Sequence, residues 1–306
     1  MKTEDNHLHR FESLSDAHRF FDMPMPRHPL ISIINGVHVK AEPDRIAQRH
    51  VLGFYKISYK PVLGGRLKYG QGYYDFDAGG LLFAAPGQII GGNPDNDTAC
   101  SQYSLLIHPD FFLGYPLAKK IRQYGFFSYS IKETLHLSEE EKNIILSIFS
   151  FMESELNSRI DDFSQDVMIS QIELLLNYAN RFYKRQFITR KAASNDLLQK
   201  FEEILEDYFQ DEKSLRGGIP TVAYLATNLN VSASYLSDML RSLTGQSAQQ
   251  HIHDKLIEKA KEKLSTTSLS VSEVAYELGF EHSQSFSKLF KTKTNLSPLE
   301  FRKSFR

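Results

Sequence analysis

The sequence predicts an α+β multidomain chain: an N-terminal β-sandwich or β-barrel with following helices, then a C-terminal all-α domain of two helix-turn-helix units in tandem. Three observations predict it. Residues 51–107 are short aromatic and aliphatic runs divided by glycine pairs, the pattern of short strands between turns. From Pro109 onward apolar residues recur at helical spacing. Residues 221–306 contain an internal repeat, a stronger signal than any single motif.

Residues 1–50 are polar and carry Pro24, Pro26, Pro29 and Pro43, and read as an arm and loops with one or two short strands. Residues 51–135 read as the β domain. Its runs "VLGFYKISYK", "RLKYGQGYY", "LLFAAPG" and "CSQYSLLI" are punctuated by Gly64-Gly65, Gly79-Gly80 and Gly91-Gly92. Residues 136–189 read as helical. Ser138 and Glu141 form a capping box, followed by Ile145, Ile148, Phe149, Met152 and Leu156 at helical spacing. A second helix, about 163–185, has Val167, Met168, Ile172, Leu175, Leu176, Ala179 and Phe182 on its apolar side. These helices either cover one face of the β domain or form a dimer interface; periodicity favours the first. "RKAASND" (190–196) reads as a linker. The last domain, 197–306, opens with a helix carrying Leu197, Leu198, Phe201, Ile204, Leu205 and Tyr208, closed by Gly217-Gly218 and Pro220.

The repeat spans 221–245 and 270–295. Val222, Leu225, Ala226 and Leu229 match Val271, Val274, Ala275 and Leu278 at an offset of 49. Leu236, Ser237, Leu240, Thr244 and Gly245 match Phe286, Ser287, Phe290, Thr294 and Asn295 at an offset of 50. Ala226 and Ala275 are small where the two helices of each unit cross. Asn230 and Gly279 suit the tight turn, with Val231 or Phe280 packed beneath. Ser270 with Glu273 is a second capping box. A linking helix, about 247–265, would be ~28 Å long at 1.5 Å per residue. Successive major grooves on one side of B-DNA lie about 34 Å apart, so the helix suits two recognition helices one turn apart on double-stranded DNA.

Residues 215–306 resemble the C-terminal domain of AraC/XylS-type transcriptional regulators. The stretch "EVAYELGFEHSQSFSKLFKTKTNLSPLEFRK" (273–303) carries the resemblance, with "SASYLSDMLRSLTGQS" similar to that family's more variable first unit. Asn295 stands where the family usually has glycine, and Lys255 where arginine is common; asparagine tolerates the left-handed conformation. The resemblance implies a cupin-like β-barrel for the N-terminal domain and following helices able to form a homodimer. It also implies a transcriptional activator, with promoter DNA and RNA polymerase as partners.

On this resemblance the recognition helices are about 233–243 and 282–291. Ser232, Ser234, Ser237, Asp238 and Arg241 face outward on the first. On the second, His282, Ser283, Gln284, Ser287, Lys288 and Lys291 do so. Gln284 suits adenine, and Lys288 a guanine or a phosphate. Lys291, Lys293 and Arg302 read as phosphate contacts. Asp238 accepts from a cytosine amino group, caps, or repels, and the sequence leaves these open.

The net charge of −1 hides an asymmetry. Residues 215–306 hold 12 Lys+Arg against 8 Asp+Glu, a net of +4, and the remainder 24 against 29, a net of −5. A basic module beside an acidic partner fits nucleic-acid binding. The single cysteine, Cys100, excludes an internal disulfide and a multi-cysteine metal site, and reads as a small buried apolar residue. No apolar run reaches the ~20 residues of a membrane span, and Met1–Arg10 lacks a secretory signal's apolar core; a cytoplasmic protein is expected. A cupin-type enzyme is the weaker alternative. Residues 51–107 contain no histidine for a metal set, and no Walker loop or Gly-x-Ser-x-Gly elbow is present. His7 and His9 read as part of a polar arm, so no cofactor or metal is expected. Phe54, Tyr55, Tyr59, Tyr69, Tyr73, Tyr74, Phe76 and Phe83 read mostly as core. Two readings of this domain stay open: it binds a small organic effector, or it only dimerises.

Overall fold

The computed structural model describes residues 8–36, 48–61, 79–90, 101–130, 133–159, 161–189, 191–210 and 213–304. The readings made for His7, Tyr69, Tyr73, Tyr74, Phe76 and Cys100 lie outside these residues. The chain divides into two compact units, Met1–Thr189 and Arg190–Arg306.

The first unit runs β1 (His9–Phe11), α1 (Leu14–Phe20), β2 (Ile31–Asn35), β3 (His50–Leu52), β4 (Tyr55–Lys60), β5 (Gly80–Ala84) and β6 (Ile89–Ile90). It continues with β7 (Tyr103–Ile107), α2 (Leu117–Lys120), β8 (Leu135–His136), α3 (Glu139–Asn157) and α4 (Ser164–Thr189). Its strands form a three-stranded sheet in the order β1-β3-β6 and a five-stranded sheet in the order β2-β7-β4-β5-β8. Every pair in the larger sheet is antiparallel, and β1 runs parallel to β3. Neither sheet closes on itself among the described strands, so the expected barrel is here a two-sheet arrangement.

Strand β4 shows the two-residue alternation that places side chains on opposite faces. Tyr55, Ile57 and Tyr59 are buried, Tyr55 packing edge-on to Phe112 and Phe127. Lys56, Ser58 and Lys60 take the other face, where Ser58 Oγ and Ser104 Oγ share a buried hydrogen bond of 2.8 Å. The capping box of Ser138 and Glu141 starts α3 as the sequence predicts. Phe149 of α3 stacks on Tyr103 at 5.3 Å. In α4, Gln186 Oε1 accepts from the His136 backbone at 2.8 Å and Tyr183 packs against Phe83 and Phe126. The two helices therefore cover one face of the larger sheet.

The segment 1–50, expected as an arm and loops with one or two short strands, holds β1 and β2 and also the helix α1 between residue 8 and residue 36. β1 pairs with β3, β2 pairs with β7, and Phe11, Leu14 and Ala17 share a core with Leu52, Phe54 and Leu106. Ser13 starts α1 by accepting from the Asp16 backbone at 3.1 Å. The segment expected as a linker, 190–196, is helical from Lys191. It contains no glycine or proline, and its alanines are strong helix formers.

The second unit runs α5 (Lys191–Gln210), α6 (Lys213–Gly217), α7 (Val222–Asn228), α8 (Ala233–Thr244), α9 (Ala248–Thr266), α10 (Val271–Glu277), α11 (Ser283–Thr294) and α12 (Pro298–Lys303). Helix α9 is its spine, with Ile252, Leu256, Ile257, Ala260 and Leu264 buried along one stripe. Charge fixes α5 to it: Glu206 meets Lys255 and Lys259, each at 2.6 Å. The two ammonium groups and a hydrogen bond from Gln210 hold the Glu206 carboxyl down to about 2. Lys255, which departs from the family's arginine, is used here.

Candidate nucleic-acid interface

The two copies of the repeat fold alike to the level of single hydrogen bonds. In the first, Leu229 N donates to Leu225 O at 3.1 Å, Asn230 N to Thr227 O at 3.1 Å and Val231 N to Ala226 O at 3.0 Å. In the second, Leu278 N donates to Val274 O at 3.1 Å, Gly279 N to Tyr276 O at 3.0 Å and Phe280 N to Ala275 O at 3.0 Å. Each bond is displaced by 49 residues. The turn residues are both left-handed, Asn230 at φ 55° and Gly279 at φ 88°. Only the second turn also requires the missing Cβ: one built on Gly279 would lie 2.5 Å from the Gly218 carbonyl carbon.

Past each turn lies a 12-residue helix, α8 or α11, where recognition helices were expected at about 233–243 and 282–291; α11 runs three residues further. Leu236, Met239 and Leu240 are buried on α8, and Phe286 and Phe290 on α11. Phe280, Phe286, Phe290 and Phe301 form a ladder with ring spacings of 5.4, 5.7 and 5.4 Å. Both helices end on a left-handed residue, Gly245 and Asn295, whose N–H donates back to Arg241 O and Lys291 O. Asparagine thus fills the glycine position, as its tolerance of that conformation predicts.

The repeat continues further than the matched side chains suggest. Thr244 and Thr294 each donate to the carbonyl four residues back at 2.8 Å. Then Ser247 with Gln250 and Ser297 with Glu300 form capping boxes that start α9 and α12. Each such cap is worth about 1 kcal/mol. The serine three residues before a Gln or Glu was the available signal.

The candidate contact residues fall into three groups. Gln284, Lys288 and Lys291 of α11, His282 at its N-cap, and Arg241 of α8 are exposed. Ser234, Ser237, Ser283 and Ser287 are half-buried, and the Ser287 hydroxyl donates to Ser283 O at 3.0 Å. The remaining three already have partners. Asp238 accepts from Arg241 at 2.9 Å. Lys293 pairs with Asp254 of α9 at 2.8 Å. Arg302, expected as a phosphate contact, is half-buried, and its Nε donates to Leu264 O at 3.3 Å, closing the C-terminal end of α9. There it meets orphan carbonyls and the negative end of the helix dipole.

Residues 225–304 match a family model described as a helix-turn-helix domain. The chain is 36% identical over 102 residues to an uncharacterized HTH-type transcriptional regulator in the cgkA 5' region of Pseudoalteromonas carrageenovora, over 33% of this chain and 55% of that one. It is 28% identical over 139 residues to the HTH-type transcriptional activator RhaS of Escherichia coli, over 45% of each. The chain thus spans about half the length of these relatives. Among solved structures, a transcriptional regulator from Chromobacterium violaceum, described as having an AraC-type DNA-binding domain, aligns at 20% identity with a TM-score of 0.32. That alignment covers 37% of this chain and 96% of that one. The duplicated turns, the family match and the two regulator relatives agree: the C-terminal unit of this chain carries a helix-turn-helix domain similar to those of HTH-type transcriptional regulators.

Proposed function

We propose that this chain is a sequence-specific transcription regulator that binds double-stranded DNA through α8 and α11 in two successive major grooves, and that it acts as an activator in contact with RNA polymerase. The observation that supports this reading most is the duplication itself: two 12-residue recognition helices with the same left-handed C-caps, joined by the 19-residue α9, whose length of ~28 Å approaches one turn of B-DNA. The activator role rests on the printed role of RhaS. Selection of bound duplexes from a random library by the full chain tests the reading. Enrichment of one extended site supports it, and recovery of unenriched DNA overturns it.

The first unit is read as the regulatory half. A cavity of about 350 Å³ opens among Leu52 and Ile90 of the smaller sheet, Lys56, Ser58 and Leu82 of the larger one, and Phe54. That volume is in the range of small-molecule sites, and it favours an effector over a domain that only forms a homodimer. A thermal-shift screen of small metabolites separates the two: a stabilising compound supports the effector, and no hit favours dimerisation alone.

A further inference from the structure

At the 50-residue offset that relates the two recognition helices, Asp238 corresponds to Lys288 and Arg241 to Lys291. The same two outward positions therefore carry an ion pair in one copy and two like cations in the other. In α8 the Arg241 Nη1 donates to Asp238 Oδ1 at 2.9 Å, with the aspartate side chain 30% and the arginine 57% exposed. In α11 both lysines are exposed.

From this substitution we infer a division of labour: Asp238 is a positioning residue that aims Arg241 at a base edge, so α8 reads sequence while α11 supplies phosphate affinity. The inference rests on the DNA-binding reading above. Its geometry is that of the helix. Arg241 lies in the third turn of α8, whereas the base edges are met by the N-terminal part of a recognition helix. Side chains lean toward the helix N-terminus, and Asp238, three residues earlier, draws the guanidinium further that way. The fork then has donors left over for the N7 and O6 acceptors of a guanine. A paired Asp and Arg adds no net charge, so α8 contributes little counterion release. Lys288 and Lys291 add two positive charges, the sequence-independent component of affinity.

The test uses the full chain and the duplex that it selects from a random library, against duplexes changed at each base pair in turn. Arg241→Ala should lower affinity for the selected duplex about tenfold or more and remove the preference at one base pair. Asp238→Ala and Asp238→Asn should reduce the preference at that same base pair by several fold, while affinity for unrelated DNA stays the same or rises. Lys288→Ala and Lys291→Ala should weaken selected and unrelated duplexes alike and each reduce the salt slope by about 1. A merely structural role for Asp238 would weaken binding without changing the base preference. An Asp238→Ala chain that keeps the wild-type ratio at every base pair, or a Lys288→Ala chain that loses discrimination instead of salt dependence, overturns the inference. A wild-type chain that selects no site overturns the DNA-binding reading, and this inference with it.

Discussion

The two copies of the helix-turn-helix share a backbone and differ in what surrounds it. Their turn hydrogen bonds, helix lengths and left-handed C-caps coincide, yet copy one turns on Asn230 and copy two on Gly279. Copy one presents a serine-rich face with a neutral Asp238–Arg241 pair, and copy two a cationic face. The backbone hydrogen bonds of the turns and the left-handed C-caps define the fold and are repeated. The outward residues and the packing behind each turn are free to diverge, and that is where the copies acquire separate roles.

The largest effect should come from the turn itself. Gly279→Ala introduces a Cβ at φ 88° and 2.5 Å from the Gly218 carbonyl carbon, and should destabilise the C-terminal unit by about 3 kcal/mol or more. Asn230→Ala meets only the local cost of a left-handed alanine, roughly 1 kcal/mol. Thermal melting of both variants checks the contrast. Equal losses would mean that the approach to Gly218 is no constraint.

Next is the attachment of α5 to α9. Glu206→Gln should cost about 1–2 kcal/mol, since a partly solvated cluster returns less than a buried one. The folded carboxyl sits at about 2, below its ordinary 4.5. The stability it contributes is therefore complete above pH 4.5 and is lost as pH falls toward 2. Denaturant melts across that window should show the wild type losing its advantage over Glu206→Gln. A difference that stays constant with pH would contradict the ion cluster.

A smaller effect separates a cap from a phosphate contact. Arg302→Met should lower stability by about 1 kcal/mol or less by removing the bond to Leu264 O, because it also removes a buried Nη2 without a hydrogen-bond partner among the described residues. The salt slope of DNA binding should not change. A slope reduced by about 1 would instead support the phosphate role. Smallest of all, Asn295→Gly should stabilise by about 0.5–1 kcal/mol, since glycine takes φ 61° without strain. Melting temperature is the check.

The C-terminal unit was largely legible because its signals are local. Caps three residues apart, small residues at crossings and left-handed turn residues all lie within a few positions of what they control. The bond from Arg302 to Leu264 O was not legible because its partner lies 38 residues away, and no local pattern distinguishes a capping arginine from one that meets a phosphate. The Asp238–Arg241 pair was within reach at i,i+3 spacing, but its significance comes from the lysines at the matching positions of the other copy. In the first unit, strands of two or three residues such as β1, β3 and β6 are too short to show alternation, and β1 is held by pairing with a strand some forty residues later. The linker misreading has a simpler cause: serine, asparagine and aspartate suggest a loop, but nothing in 190–196 breaks a helix.

The account stands most directly on whether both recognition helices enter the major groove. Methylation interference at guanine N7 on the selected duplex measures this. Two clusters of interference on one face, centred about 10–10.5 base pairs apart, are predicted, with Arg241→Ala erasing contact in one cluster only. A single cluster, or two out of phase with the helical repeat, would contradict it.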